Sequence, residues 1–402
     1  MIDVVIVGAG AAGIAAAREA GKRGLKAVIL EASDRVGGRA QTIHWNGHKL
    51  DLGATWLHSA GRNPLVPLAE QLGIAIDRAP APWRNQYENL GYSEEDQSES
   101  WAAMDAFANR LRAGTRDDRA SEALEPGNAW NGFLEALNGY LNGTSLAKTS
   151  AADFIAYWDG SENSNWRLPG GYGALVAALA AEADVRTGCV VGRVDWSGRG
   201  VRLTTDQGAI EAEHAIIAIP TSRLASGDIA FTPALDDRLH AAAQLPLGHV
   251  EKLFFESADP GSVPVDAHLI GNPRSADTGS YMLRPLGVPV IEAFFGGDYL
   301  EAMDEQDLAA KGREELGTLL GAAFARKLRP VAYSGWKRHA FICGSYSYAL
   351  PGQHGARAVL RAPVNGPLAF AGEACSDDDY ATVHGAWESG IVAVEQLFGT
   401  KE

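Results

Sequence analysis

Ile2-Asp3-Val4-Val5-Ile6-Val7-Gly8-Ala9-Gly10-Ala11-Ala12-Gly13 opens the chain and decides how the rest is read. Val4 to Val7 are a β-branched apolar run, the pattern of a strand buried on both faces of a parallel sheet. Each glycine meets a separate demand. Gly8 permits the tight turn, Gly10 removes the Cβ that would keep a pyrophosphate off the backbone, and Gly13 lets the next helix, expected over 14–22, pack on the strand. An anion would then lie on that helix N-terminus, where free N–H groups and the dipole favour it. Gly24 closes the helix, Ala27 to Leu30 read as a second strand, and Glu31 stands at its end, placed to accept from a ribose hydroxyl. GxGxxG alone arises often as ordinary loop chemistry; strand, helix, second strand and acid in this order make it a dinucleotide-binding unit. Ala32 to Arg39 then add Gly37, Gly38 and two arginines, a loop suited to wrapping a larger dinucleotide, and this favours FAD over NAD.

Working outward, 402 residues exceed one ordinary core and call for two domains. Hydrophobic and charged contents of 46% and 21% are those of a soluble globular protein. The net charge of −15 argues against nucleic acid or an anionic membrane as partner and favours a cationic substrate through steering. Cys189, Cys343 and Cys375 have neither disulfide-framework nor zinc spacing, which fits a reducing compartment. With no apolar run of about 18 residues and no leader pattern, a cytoplasmic, membrane-free chain is expected.

Past the opening unit, Asp51 to His58 combine small residues (Gly53, Ala54) that admit a flat ligand with the bulk of Trp56 and the titratable His58. A helix is expected over 65–72. From 77 to 165 helical patterns dominate, at 101–111, 130–141 and 151–158, and the acids Glu88, Glu94, Glu95, Asp96 and Glu99 sit in what reads as a solvated loop over 85–100. Leu168-Pro169-Gly170-Gly171 lead into a helix over 174–181. Residues 185–196 and 201–205 alternate like antiparallel strands, followed by a turn at Asp206-Gln207-Gly208 and a buried strand over 214–219. Strands at 250–255, 268–270, 280–283 and 290–295 suggest one mixed or antiparallel sheet, with an amphipathic helix over 307–320. Leu368 to Glu373 repeat the strand-to-glycine pattern, and 383–398 read as a closing helix.

These residues together resemble the flavin-dependent amine oxidases, most closely the polyamine-oxidase and monoamine-oxidase-like branch. The resemblance spans nearly the whole chain: Gly8 to Gly13 with Glu31, Gly37-Gly38-Arg39, Asp51 to His58, Leu168 to Gly171, Lys252 within His249 to Phe255, Trp336, Gly344 to Ser347, Phe370 to Glu373 and Thr382 to Ala386. It implies an α/β fold with an α+β second domain. An FAD-binding Rossmann-like domain (1–76, 166–245 and 345–402) would carry a discontinuous substrate-binding domain (77–165 and 246–344) built on a mixed or antiparallel sheet plus helices.

The resemblance also implies site residues. The cofactor would be met by Gly8, Gly10, Ala12, Gly13, Glu31, Ala32, Gly38, Arg39, Gly53, Ala54, Thr55, Trp56, Val191, Gly372, Glu373, Thr382 and Val383. The N-terminus of the closing helix would face the flavin pyrimidine ring, where reduced-state charge collects. Lys252 matches the lysine that holds a water against flavin N5; inside an apolar strand an unpaired ammonium would be costly. Trp336 and Tyr346 match aromatics flanking the flavin, although two aromatics by type alone read as core. His58 falls where several polyamine oxidases carry a histidine in the catalytic tunnel. Ser345 replaces the cysteine of covalent members, implying non-covalent FAD, and Thr382 replaces the second cage tyrosine of monoamine oxidases.

The implied reaction takes hydride from the α-carbon of an amine to flavin N5, leaves an imine for hydrolysis and reduces oxygen to hydrogen peroxide. Polyamines or diamines are favoured as substrates. The alternatives are a monoamine or alkaloid-type oxidase or dehydrogenase, a flavin desaturase on the same frame, and a demethylase-type module, against which the lack of a long helical insertion counts.

Overall fold

The computed structural model describes residues 1–400 and divides into two compact units. The first comprises Met1–Arg78, Ala156–Leu247 and Ala340–Glu402, and the second Ala79–Ile155 and Gly248–His339.

The first unit is built on an eight-stranded sheet. Its strands run in the spatial order Ala230–Thr232, Val191–Asp195, Val201–Thr205, Gly208–Ile217, Ile2–Val7, Ala27–Leu30, Asp184–Arg186, and Leu368–Phe370 pairs additionally with Gly208–Ile217. The opening strand lies between two parallel partners, with Val5 opposite Ala215 on one side and Val28 on the other. Val4 and Ile6 enter one core and Val5 and Val7 another, so the β-branched run is buried on both faces. Each such side chain contributes about 1.5–3 kcal/mol of apolar burial. The closing helix Val383–Phe398 packs on Ala11–Lys22 at Gly390, where a Cβ would lie 2.1 Å from the carbonyl oxygen of Ala12.

Several expectations are corrected in this unit. The first helix begins at Ala11 rather than at residue 14, so its first turn lies within the glycine motif. The stretch 185–196 is two strands: Asp184–Arg186 runs parallel to Ala27–Leu30, and only Val191–Asp195 is antiparallel to Val201–Thr205. The helix after Gly171 starts at Tyr172, not at residue 174. Its first amides are capped from far away: Asp51 accepts from the N–H of Tyr172 at 3.0 Å, and Thr42 Oγ1 from that of Ala174 at 2.9 Å.

In the second unit five antiparallel strands lie in the order Ala267–Ile270, Ser280–Leu283, Val290–Gly296, Val250–Ser257, Leu328–Tyr333. Leu253, Phe255, Tyr281, Ile291 and Phe295 pack with Leu308 and Leu316 of the helix Glu305–Leu320. By the two-residue strand period, Lys252, Phe254, Glu292 and Phe294 occupy the opposite face. Leu328–Tyr333 is absent from the sequence reading because Pro330 argues against a strand; at the sheet edge a missing N–H is tolerated. The acidic loop is corrected too. Glu94–Arg112 is one helix, and Ser93 and Asp96 form a capping box. Glu94, Glu95 and Asp96 thus sit in a first turn, where the helix dipole favours them.

Candidate active site

In the first unit the glycine turn has the shape of a dinucleotide cradle. Gly8 has φ +106°, and a Cβ there would come 2.4 Å from Ala218 O; at Gly13 it would come 1.9 Å from Gly8 O. A Cβ on Gly10 would meet nothing within 4 Å. The helix that follows has no acid in its first turn and no side-chain cap, which leaves its positive end for an anion. The second glycine loop closes against the first: Gly37 donates to Ala9 O at 2.8 Å, and Gly38 lies against Gly10. Buried Glu31 accepts from the N–H of Ala9 at 2.7 Å and from that of Ser33 at 2.9 Å, so one carboxylate fixes both ends of the adenosine-side turn. Ala32 continues that turn half-buried, and Cys189 donates to Glu31 O at 2.8 Å, which brings buried Val191 into the neighbourhood of the acid. These donors, glycines and acid fit an FAD.

Glu373 organises the other end of this unit. It pairs with Arg39 at 2.8 Å and accepts from the Ser347 hydroxyl at 2.6 Å, the Ser347 N–H at 3.1 Å and the Ala381 N–H at 3.0 Å. Arg39 also donates to Ser345 O at 2.7 Å. The segments carrying Tyr346 and Thr382 are therefore gathered onto one acid. Burial pushes Glu373 up, but the guanidinium groups of Arg39 and Arg357 and the Ser347 hydroxyl outweigh it, and the net shift is downward, toward the carboxylate. Arg357, which the sequence reading missed, is fully buried, donates to Ser347 Oγ at 2.9 Å and stacks on Tyr380 at 3.8 Å. Tyr346 is half-buried, and its phenol is pushed up by desolvation and by Tyr157.

Thr382 is the N-cap of the closing helix. Its hydroxyl accepts from Gly385 N at 3.0 Å and donates to Asp379 O at 2.6 Å, Val383 begins the helix, and half-buried Gly372 donates to Ser389 Oγ of the same helix at 2.8 Å. Gly53 and Ala54 run beside the arginine loop, with Ala54 N donating to Arg39 O at 3.2 Å. Thr55 follows half-buried, Trp56 pairs with Arg167 in a short two-stranded ladder, and His58 Nδ1 lies 2.7 Å from Asn165 Oδ1.

A charge cluster beside Thr382, in which buried Asp379 and His384 meet exposed Arg62, has no counterpart in the sequence reading. Asp379 accepts from Arg62 through both oxygens at 2.6 Å and from His384 Nε2 at 2.9 Å. Burial raises its pKa, yet the His384 and Arg62 hydrogen bonds prevail and hold it at about 2. A folded pKa below the unfolded one, near 4, contributes about 2 kcal/mol above pH 4 that is lost as pH falls toward 2. In urea titrations the stability gap between the wild type and Asp379→Asn should narrow between about pH 4 and pH 2. A gap constant over that range would remove Asp379 from the acid response.

Lys252 and Trp336 belong to the second unit and are held by two different glutamates. Lys252 is 5% exposed, with its ammonium 2.9 Å from Glu292. Glu251 accepts from the Ser334 hydroxyl, from the N–H of Trp336 at 3.1 Å and from that of Lys337 at 3.0 Å, pinning the turn that bears buried Trp336. Ser334 and Lys252 exchange two further bonds, at 2.9 and 3.0 Å. Neither glutamate was singled out from sequence. An acid next to the lysine, and a lone acid in the apolar run 290–295, were the signals available.

A protein-family model described as flavin-containing amine oxidoreductase matches residues 11–126 and 84–398. The chain belongs to the flavin-containing amine oxidoreductase family. Members of this family oxidise amines with a flavin, and here the cofactor is FAD. Among similar curated proteins, polyamine oxidase 2 of Arabidopsis thaliana is 29% identical over 448 residues, covering 98% of this chain and 87% of the relative. Polyamine oxidase 1 of Oryza sativa subsp. japonica is 27% identical, covering 98% and 96%. A putrescine oxidase solved with putrescine superposes with a TM-score of 0.80 at 21% identity over 99% of both chains. A cyclohexylamine oxidase from Brevibacterium oxydans gives 0.78 at 20% identity over 98% of both. These two establish the amine-oxidase fold. Among the described residues no group of side chains could hold a metal, and no helix is long and apolar enough to cross a membrane.

Proposed function

We propose that this amine oxidoreductase acts on aliphatic diamines or polyamines, uses molecular oxygen as acceptor, releases hydrogen peroxide, holds FAD without a covalent link and works in the cytoplasm. Bound FAD would supply the two-electron chemistry, taking hydride from the α-carbon at N5. The chain's own residues bind and orient. Glu31 and the two glycine loops would hold the adenosine and pyrophosphate, Arg39, kept aimed by Glu373, would offset phosphate charge, and the N-terminus of the closing helix would favour negative charge placed before it. Lys252 would fix a water and a positive charge, Trp336 and Tyr346 would wall the amine, and His58 would line its approach.

The observation that carries the substrate reading is Thr382. The resemblance assigns it the place of a second cage aromatic, and its hydroxyl is engaged in capping the helix, which leaves only the methyl for other contacts. An aliphatic chain suits that environment, and the polyamine oxidases among the relatives support it. Anaerobic bleaching of the flavin with a panel of amines tests this reading. Polyamines and diamines should bleach fastest, and kcat/KM for multiply charged amines should fall more steeply with salt than for singly charged ones, given the net charge of −15. Benzylamine-like substrates outperforming every polyamine with the same salt response would favour a monoamine or alkaloid-type oxidase. On acid precipitation the yellow colour should leave with the supernatant; colour retained in the pellet would contradict Ser345 as a non-attaching residue.

A further inference from the structure

We propose that Glu292 is a positioning residue that acts through Lys252, holding its side-chain nitrogen in one place. This rests on the reading that Lys252 serves the flavin chemistry. The two residues are cross-strand neighbours: Phe254 stands opposite Glu292 and Phe294 opposite Lys252, so the ion pair is the diagonal between those rows. Its surroundings on this face are Phe254, Phe294 and Met282, the last directly opposite Glu292 on the next strand. The carboxylate and the ammonium are both nearly buried, 2.9 Å apart.

Stability alone does not account for such a pair. Two desolvated charges among aromatic and thioether side chains are seldom more stable than apolar residues of the same volume, whereas one of them left alone is strongly unfavourable. The same sheet fills its other face with apolar side chains such as Leu253 and Phe255, so the strand pair is fully able to pack without charge. What the glutamate provides is a lysine whose side chain is held in one rotamer by a fixed partner 2.9 Å away. The backbone of Lys252 is also fixed, by its two bonds to Ser334, so both ends of the side chain are restrained.

The test is a double-mutant cycle on the full chain, with K252M, E292Q and the pair. E292Q should slow flavin reduction or reoxidation about ten-fold with KM nearly unchanged, within the range contacting pairs show. In the K252M background it should change the rate by less than about two-fold. In urea unfolding of the holoenzyme at matched flavin occupancy, each single variant should lower the midpoint and the double variant should be no worse than either. Equal slowing by E292Q in both backgrounds, or a KM effect on diamines that survives K252M, overturns the inference and leaves the reading of Lys252 standing. K252M with unchanged half-reactions overturns both. Should E292Q not fold, K252M/E292M, which removes both charges, will fold if the glutamate serves the lysine; failure of that pair too overturns the inference.

Discussion

Gly13→Ala should abolish flavin loading and unfold the first unit, while Gly10→Ala should abolish loading and leave the fold intact. A Cβ on Gly13 would lie 1.9 Å from the carbonyl oxygen of Gly8 and 3.2 Å from Ile6 Cγ2, so the helix must move away from the opening strand, which lies inside the sheet between two parallel partners. Overpacking typically costs about 1–3 kcal/mol when side chains can shift; here the obstacle is backbone, and the cost should reach or exceed the upper end. Gly10 differs in both respects. Its φ of −74° suits any residue, and its Cβ would enter open space. That space is what a pyrophosphate would occupy. Flavin absorbance per chain together with the thermal unfolding midpoint separates the two outcomes. If Gly10→Ala retained full flavin, the cradle would be wrongly placed; if Gly13→Ala melted like the wild type, the close helix packing would not matter.

Lys252→Met should lower the rate of flavin reduction, reoxidation or both by roughly 10²-fold, the scale seen when one positioned polar group is removed from a reacting centre. It should also lower stability, because Glu292 keeps its burial and loses its counter-ion; removing one member of a buried pair costs about 3–5 kcal/mol. Flavin content should hold, since the residues proposed to meet adenosine and pyrophosphate, Glu31 and the two glycine loops, all lie in the first unit. Stopped-flow measurement of each half-reaction, with urea unfolding alongside, tests both parts. Unchanged rates in both half-reactions would remove the lysine from the chemistry, whatever the stability result.

The fold class was legible in the sequence because its deciding signals are local. Strand, glycine turn, helix, strand and Glu31 lie within the first 31 residues, and each step is fixed by its neighbours: β-branched residues for the strand, absent Cβ atoms for the turn, an acid at the strand end. The closing helix reads equally well, with Thr382 as its cap and Val383 to Phe398 as an apolar-rich span. One misreading fell where a distant residue decides a local event, and two where one local signal outweighs another. Asp51 starts a helix at Tyr172 across 121 residues of chain, which no window around Gly171 reveals. Ser93 with Asp96 turned an acidic stretch into a helix start because capping outweighs the low intrinsic helix preference of Ser and Asp. Pro330 concealed a strand that the sheet accepts only at its edge.

At the candidate site the division is sharper. The sequence by itself singled out Gly10 and Glu31 as candidate dinucleotide contacts, and placed a lysine in an apolar strand at 252. Only the tertiary structure decided which groups hold these in place: Glu373 collecting Arg39, Ser347 and Ala381; Asp379 collecting Arg62 and His384; Glu251 holding the Trp336 turn; Glu292 facing Lys252. The reason lies in strand register. A slip of one residue between 250–257 and 290–296 would turn Glu292 to the opposite face, into the apolar core, and leave Lys252 without its counter-ion, and nothing near position 252 in the sequence specifies that register.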